Sequence, residues 1–197
     1  MAADGMTPMQ LPDVRRRVRQ GRRLALARAC DAGPGLRVHD ALAGWGTDGL
    51  VLAALGCRVH LSERNCHVHE ILDARLRAES ARQPPPRPGA ISWALEDARD
   101  RWREDSQFDV VYLDPMFGEH PKTALPAKPM QVLAELVGEM SFGEVAELID
   151  RARRVAASRV VVKRRASAAA LGQPDWHIRA RSVRFDVYSP LPRCSRA

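Results

Sequence analysis

Hydrophobic and polar positions change rhythm several times along the chain, and each change predicts an element. Leu36-Arg-Val-His-Asp40 reads as a short strand after the breaker Gly33-Pro34-Gly35. Gly44 to Gly49 is glycine-rich, and Leu50 to Leu55 is an apolar helical stretch ending at Gly56, a good helix terminator. Arg58 to Leu61 is a second strand, ending near Glu63. Cys66 to Ser80 predicts a helix, with Val68, Ile71, Leu72, Arg75 and Leu76 near a 3.6-residue period. The run from Gln83 to Gly89 holds four prolines and must be a surface loop, since proline lacks the N–H that helices and inner strands need. Ile91 to Leu95 is a third strand, followed by Asp97. Phe108 to Leu113 is the clearest strand, with the nearly continuous apolar core of an inner parallel strand covered on both faces. Helical patterns follow over 128–137 and 142–156, then strands at Arg159–Lys163, Trp176–Arg181 and Val183–Tyr188.

Strands alternating with helices at this pace predict βαβ units and a parallel, doubly wound sheet of the α/β class. Ligands in such sheets sit outside the carboxyl ends of the strands, near the point where the strand order reverses. Residues 1–12 read as a loose tail and 13–30 as a very basic helix, so an N-terminal segment (1–30) precedes a single domain (31–197). A chain of 197 residues can bury roughly 70% of its unfolded surface.

Charge sharpens this picture. The net charge is +7, from 31 basic and 24 acidic residues, which suits a polyanionic partner. Of the basic residues 28 are Arg and only 3 are Lys, a skew expected of GC-rich codons, so part of the Arg content carries no function. Seven Arg fall between Val14 and Ala29; that helix is either a solvated face or an arm that neutralises phosphates. No pair of the four cysteines has CxxC spacing, which argues against zinc and a disulfide framework, and His67 and His69 do not share a helix face, so no metal site is expected. The first residues lack a signal-peptide pattern and no apolar stretch reaches the roughly 18 residues of a membrane span, so the expected location is the cytoplasm, with no membrane partner.

Gly44-Trp-Gly46-Thr47-Asp48-Gly49 matches G-x-G-x-x-G between a strand and a helix, with Glu63 at the end of the next strand. That pattern fits a dinucleotide as well as another adenosine-bearing ligand. The glycines let the ligand approach the backbone, and Glu63 can accept from both ribose hydroxyls. Asp40, before the loop, would repel a pyrophosphate but suits the ammonium of a methionine moiety, which favours S-adenosylmethionine. Asp97 is placed either to accept from an adenine amino group or to cap a helix.

Asp114-Pro115-Met116-Phe117 directly follows the fourth strand and is close to the (D/N)PP(Y/F) motif of amino-group methyltransferases. The lone pair of an exocyclic amine on a base is delocalised into the ring, so the amine is a poor nucleophile. A carboxylate (Asp114) and a backbone carbonyl (Pro115) accepting its two N–H bonds pull the nitrogen toward tetrahedral geometry. Phe117 offers a face for the base, worth about 1–3 kcal/mol. Methyl transfer is then mainly in-line positioning. Lys122, Lys128 and Lys163 are exceptions in an Arg-rich chain, and with Arg164 they are expected to hold RNA backbone near the target.

Val111-Tyr-Leu-Asp-Pro-Met-Phe117, Lys122-Thr-Ala-Leu125 and residues 130–138 resemble the ribosomal RNA small subunit methyltransferase J family. Asp40-Ala-Leu-Ala-Gly-Trp-Gly46, residues 55–59, Glu63-Arg64-Asn65, Val160-Val-Val-Lys-Arg164 and Arg184-Phe-Asp-Val-Tyr188 are similar to its other blocks, so that the resemblance covers roughly residues 36–190. It implies a Rossmann-like class I methyltransferase fold with about seven strands. It also implies cofactor contacts at Asp40, Gly44, Gly46, Glu63 and Asp114, extended by position to Thr47, Asp48, Arg64 and Asp97. The activity implied is methylation of the N2 amine of a guanosine in 16S ribosomal RNA, by a monomer acting on that RNA or on the small subunit. The family usually has Thr where Leu42 stands and Arg where Thr47 stands, and a longer N-terminal region. The competing readings are amino methylation of another RNA or DNA base, adenine N6 among them, a nicotinamide oxidoreductase, and an RNA-binding protein with a vestigial cofactor pocket.

Overall fold

A computed structural model of the chain describes residues 14–82, 91–103, 108–116, 133 and 135–192. Seven strands form one sheet in the order β3-β2-β1-β4-β5-β7-β6. They are β1 (Arg37–Asp40), β2 (Arg58–Glu63), β3 (Ile91–Leu95), β4 (Phe108–Leu113), β5 (Ala156–Arg165), β6 (Trp176–Arg179) and β7 (Val183–Tyr188). The first five run parallel; β7 is antiparallel to both β5 and β6. This is the mostly parallel sheet of class I methyltransferases, and the strand order reverses between β1 and β4. The expected strand limits agree with these spans to within a few residues.

Alternation along the strands divides the core in two. Val38, Val59, Leu61, Val110, Tyr112 and Val161 pack with α2 (Ala25–Cys30), α3 (Thr47–Ala54) and α4 (Cys66–Arg82) on one side of the sheet. Val111, Leu113, Val160 and Val162 pack against α6 (Phe142–Val155) on the other. α6 starts at a reciprocal cap: Ser141 Oγ accepts from the Glu144 N–H, and the Glu144 carboxylate accepts from the Ser141 N–H.

The basic segment is not one helix. α1 (Val14–Val18) is followed by a 3-10 turn (Gly21–Arg23) and then α2, because Gly21 takes φ +52° and Leu24 is extended. The break lets two faces bury separately. α1 packs on α3, while Leu26, Ala27, Ala29 and Cys30 of α2 enter the sheet's own core. Residues 14–30 thus pack on the sheet and α3. A short helix went unread, α5 (Ala98–Arg101), capped by Asp97. Residues 1–12, the proline-rich run and most of 128–137 lie outside the described residues.

Gly46 shows why the loop into α3 needs glycine. Its φ is +68°, and a Cβ there would lie 2.5 Å from Leu72 Cδ1 of α4. Gly46→Ala is expected to destabilise the protein by about 1–3 kcal/mol through strain and overpacking. Urea unfolding at neutral pH measures this; an unchanged midpoint would contradict the packing described.

Candidate active site

A cavity of about 400 Å³ opens at the carboxyl ends of the parallel strands, within the usual range for small-molecule sites. Register decides which side chains meet there. Asp40 pairs with Tyr112 across β1 and β4, and Leu113 pairs with Val162 across β4 and β5. Asp40, Asp114 and Lys163 therefore stand at three adjacent strand ends at the reversal point.

Asp40 is 2% exposed, and its Oδ1 has no hydrogen-bond partner among the described residues. Burial, reinforced by Asp48 and Asp114, pushes its carboxyl well above the usual range. A buried acceptor without a donor is costly, and Asp40 belongs to the cavity lining, so a donor bound there would offset that cost. The ammonium of S-adenosylmethionine is such a donor, so the residues fit this cofactor. Glu63, also buried, accepts from the Gly44 N–H at 3.0 Å and the Asn65 N–H at 2.8 Å, one on each oxygen. It braces the glycine loop, and each oxygen keeps a lone pair for a ribose hydroxyl. Gly44, Thr47, Arg64 and Asp97 also line the cavity. Thr47 Oγ1 accepts from Arg75, which also binds the Trp45 carbonyl. Gly46 caps α3.

Several expected roles change. Asp97 is the helix cap: its Oδ1 accepts from the Arg99 N–H at 2.9 Å, and both oxygens pair with the Arg99 guanidinium. Asp48 is no open cofactor acceptor. Its Oδ1 pairs with Arg17 at 2.6 Å, and its Oδ2 accepts from Tyr112 Oη at 2.6 Å and Lys163 Nζ at 2.9 Å. Burial alone would raise its carboxyl, but Lys163 and Arg17 hold it well below the usual range. Lys163, expected on RNA backbone, has its ammonium between Asp48 and Asp114, 2.7 Å from Asp114 Oδ2. Arg164, given the same expectation, is 3% exposed and stacks over the Phe142 ring. Position on a strand explains both corrections, since neighbouring β5 residues point to opposite, covered faces. Asp114 and Pro115 line the cavity as expected. Phe117, Lys122 and Lys128 lie outside the described residues.

Sequence reasoning also missed Arg17, Tyr112 and a hydrogen-bond chain beside the cavity. Trp102 Nε1 donates to His39 Nδ1, and Ser62 Oγ donates to Glu96 Oε1. Ser62 must then accept from His39 Nε2 at 2.7 Å, which fixes the histidine tautomer. His60 bridges Ser92 and the same Glu96 oxygen, which Arg101 also binds. His39, His60 and Glu96 present ligand atoms close enough for a metal ion. Both His39 nitrogens are committed to hydrogen bonds, so the donor set suits a neutral buried network rather than a cation. Paired polar positions on β1, β2 and β3, at His39, His60, Ser62 and Ser92, were the signal for it.

His39 is fully buried, and burial pushes its pKa down to about 3 from 6.5. Between those values an unfolded chain takes up a proton that the folded chain refuses. The stability tied to neutral His39 is complete above pH 6.5 and declines as pH falls toward 3. Thermal denaturation across this window is expected to show a steady fall in Tm, with a shallower slope for His39→Gln; equal slopes would exclude His39 as a source.

The chain's relatives converge on one activity. A family model described as "Putative SAM-dependent methyltransferase" matches residues 9–190. The ribosomal RNA small subunit methyltransferase J of Legionella pneumophila (strain Lens) is 36% identical over 87% of this chain and 70% of that protein. Its counterpart from Erwinia tasmaniensis is 40% identical over 91% of this chain and 74% of that protein. The crystal structure of a SAM-dependent methyltransferase from Neisseria gonorrhoeae superposes with a TM-score of 0.65 at 31% identity, over 84% of this chain and 70% of that one.

Proposed function

The chain belongs to the ribosomal RNA small subunit methyltransferase J family of SAM-dependent methyltransferases, and on that footing we propose that it methylates the exocyclic N2 amine of a guanosine in 16S ribosomal RNA. One observation carries the reading beyond family membership. One cavity is lined by Asp40, whose buried Oδ1 lacks a partner among the described residues, and by Asp114 and Pro115, the two residues the amine reading needs.

The cofactor supplies an electrophilic methyl group. Asp40 Oδ1 takes its ammonium, and Glu63 takes the ribose hydroxyls. Asp97 and Arg64 stand at the adenine side, where the lone pairs of Asp97 not used by Arg99 remain for the exocyclic amine. At the acceptor end, Asp114 Oδ1 and the Pro115 carbonyl accept the two N–H bonds of the guanine amine and turn its lone pair toward the methyl group. Phe117 stacks on the base. A guanine inside RNA structure must be splayed out of its stack to enter. With Lys163 and Arg164 facing inward, phosphate contacts are assigned to Lys122 and Lys128 and to the exposed Arg15, Arg16 and Arg23 of the N-terminal segment. Among the described residues no helix is long and apolar enough to cross a membrane.

Asp114→Ala is expected to lower methyl transfer to small-subunit RNA by about 100-fold or more, the scale of losing one positioned hydrogen-bond partner, with cofactor affinity nearly unchanged. Asp40→Asn is expected to do the reverse, weakening cofactor binding by about 10–100-fold, since a charged hydrogen bond is worth about 1.5–3 kcal/mol. Calorimetric titration with S-adenosylmethionine beside a tritium-transfer assay separates the two. Full transfer by Asp114→Ala would remove the amine-binding role, and unaltered affinity of Asp40→Asn would remove the ammonium contact.

A further inference from the structure

The carboxylate assigned to the amine does not stand alone. Lys163 Nζ donates to Asp114 Oδ2 at 2.7 Å, and Asp114 Oδ1 has no such partner among the described residues. The same ammonium donates to Asp48 Oδ2 at 2.9 Å, and Asp48 is held from its other side by Arg17 at 2.6 Å. Tyr112 Oη adds a third bond to Asp48. Arg17 comes from α1, so three ion pairs in series run from the arginine-rich helix to the motif after β4. On α1, Val14, Arg17 and Val18 share the inward stripe, while Arg15 and Arg16 point out.

We propose that Lys163 is a positioning residue for Asp114: it fixes one carboxylate oxygen so that the other meets the substrate amine, and Asp48 and Arg17 hold Lys163 in place. This rests on the amine-methylation reading of the site. A carboxylate must be both ionised and correctly rotated to accept from an N–H bond. Asp114 is surrounded by other acids. Asp48 of α3 and Asp40 of β1 face it from the neighbouring elements, Tyr112 lies on its own strand, and α6 presents Glu144 and Glu147 to the same cavity. Against these stand Lys163 of β5 and, farther off, Arg17 of α1. Burial pushes the Asp114 carboxyl up and the Lys163 ammonium opposes that shift. Removing the ammonium leaves Asp114 among like charges with no cation bonded to it among the described residues. Its carboxyl then titrates higher and loses its preferred rotation. Lysine suits the position because one compact ammonium reaches two carboxylates from different elements.

The test is a carbon-13 NMR titration of the aspartate carboxyls in the cofactor-free protein, with Asp114 assigned by comparison with Asp114→Asn. Wild type, Lys163→Met, Lys163→Arg and Arg17→Met are compared. Asp114 is expected to titrate at least one pH unit higher in Lys163→Met. A smaller rise is expected in Arg17→Met, and a value near wild type in Lys163→Arg. The pH–rate profile of single-turnover methyl transfer should follow, with its acidic limb moved upward in the same order and cofactor affinity changed less than about threefold. An Asp114 titration that stays put in Lys163→Met overturns the proposal, and so does a shifted titration with an unmoved acidic limb. Should Lys163→Met fail to fold, Arg17→Met decides on the same criteria. The titration needs neither RNA nor turnover, so a wild type that transfers no methyl group to RNA defeats the functional reading separately.

Discussion

Asp40, Asp48 and Asp114 converge at the strand ends where the sheet order reverses, in surroundings that burial makes costly for charge. Each buried carboxylate needs a cation or a donor, and much of the local architecture follows from that need. Lys163 at the end of the inner strand β5 stands between two of them. Arg17, brought back over α3 by α1, takes the free side of Asp48. Asp40 Oδ1 is left without a hydrogen-bond partner among the described residues, and the proposed methionine ammonium would supply the donor it lacks.

The fold delivers these groups by register rather than by loops. Parallel strands end in step, so residues at or next to the ends of β1, β2, β4 and β5 form a short row on one rim of the sheet. The glycine loop between β1 and α3 lets backbone approach closely, and Glu63 ties that loop to β2 through the Gly44 N–H. Asp114 and Pro115, the pair proposed to hold the amine, follow the next strand, β4, and line the same cavity.

Much of this was legible in the chain. Apolar runs bounded by glycine and proline marked the strands. The places of the glycine loop, Asp40, Glu63 and Asp-Pro-Met at the cavity were readable because they follow from local spacing next to strand ends. Lys163 and Arg164 were misread because rarity of lysine says nothing about which way a strand residue points; both faces of β5 are covered. Arg17 was invisible as one of seven arginines in its segment, since only tertiary packing of α1 on α3 distinguishes it. The break at Gly21 followed from the same cause: a continuous helix could not bury Val14 and Val18 against α3 and also Leu26 and Cys30 in the sheet's core. Asp97 caps α5 through the Arg99 N–H, one of the two roles its position after β3 suggested. The His39 chain needed the register of three strands, which no single segment encodes.

The measurement that bears most directly on the central claim is the identity of the modified nucleoside. Small ribosomal subunits lacking the modification would be incubated with the protein and labelled S-adenosylmethionine, and the RNA digested and resolved by mass spectrometry. The account predicts label in N2-methylguanosine of 16S ribosomal RNA and nowhere else. Label in N6-methyladenosine, or subunits and free RNA that stay unlabelled while the protein binds the cofactor, would contradict it.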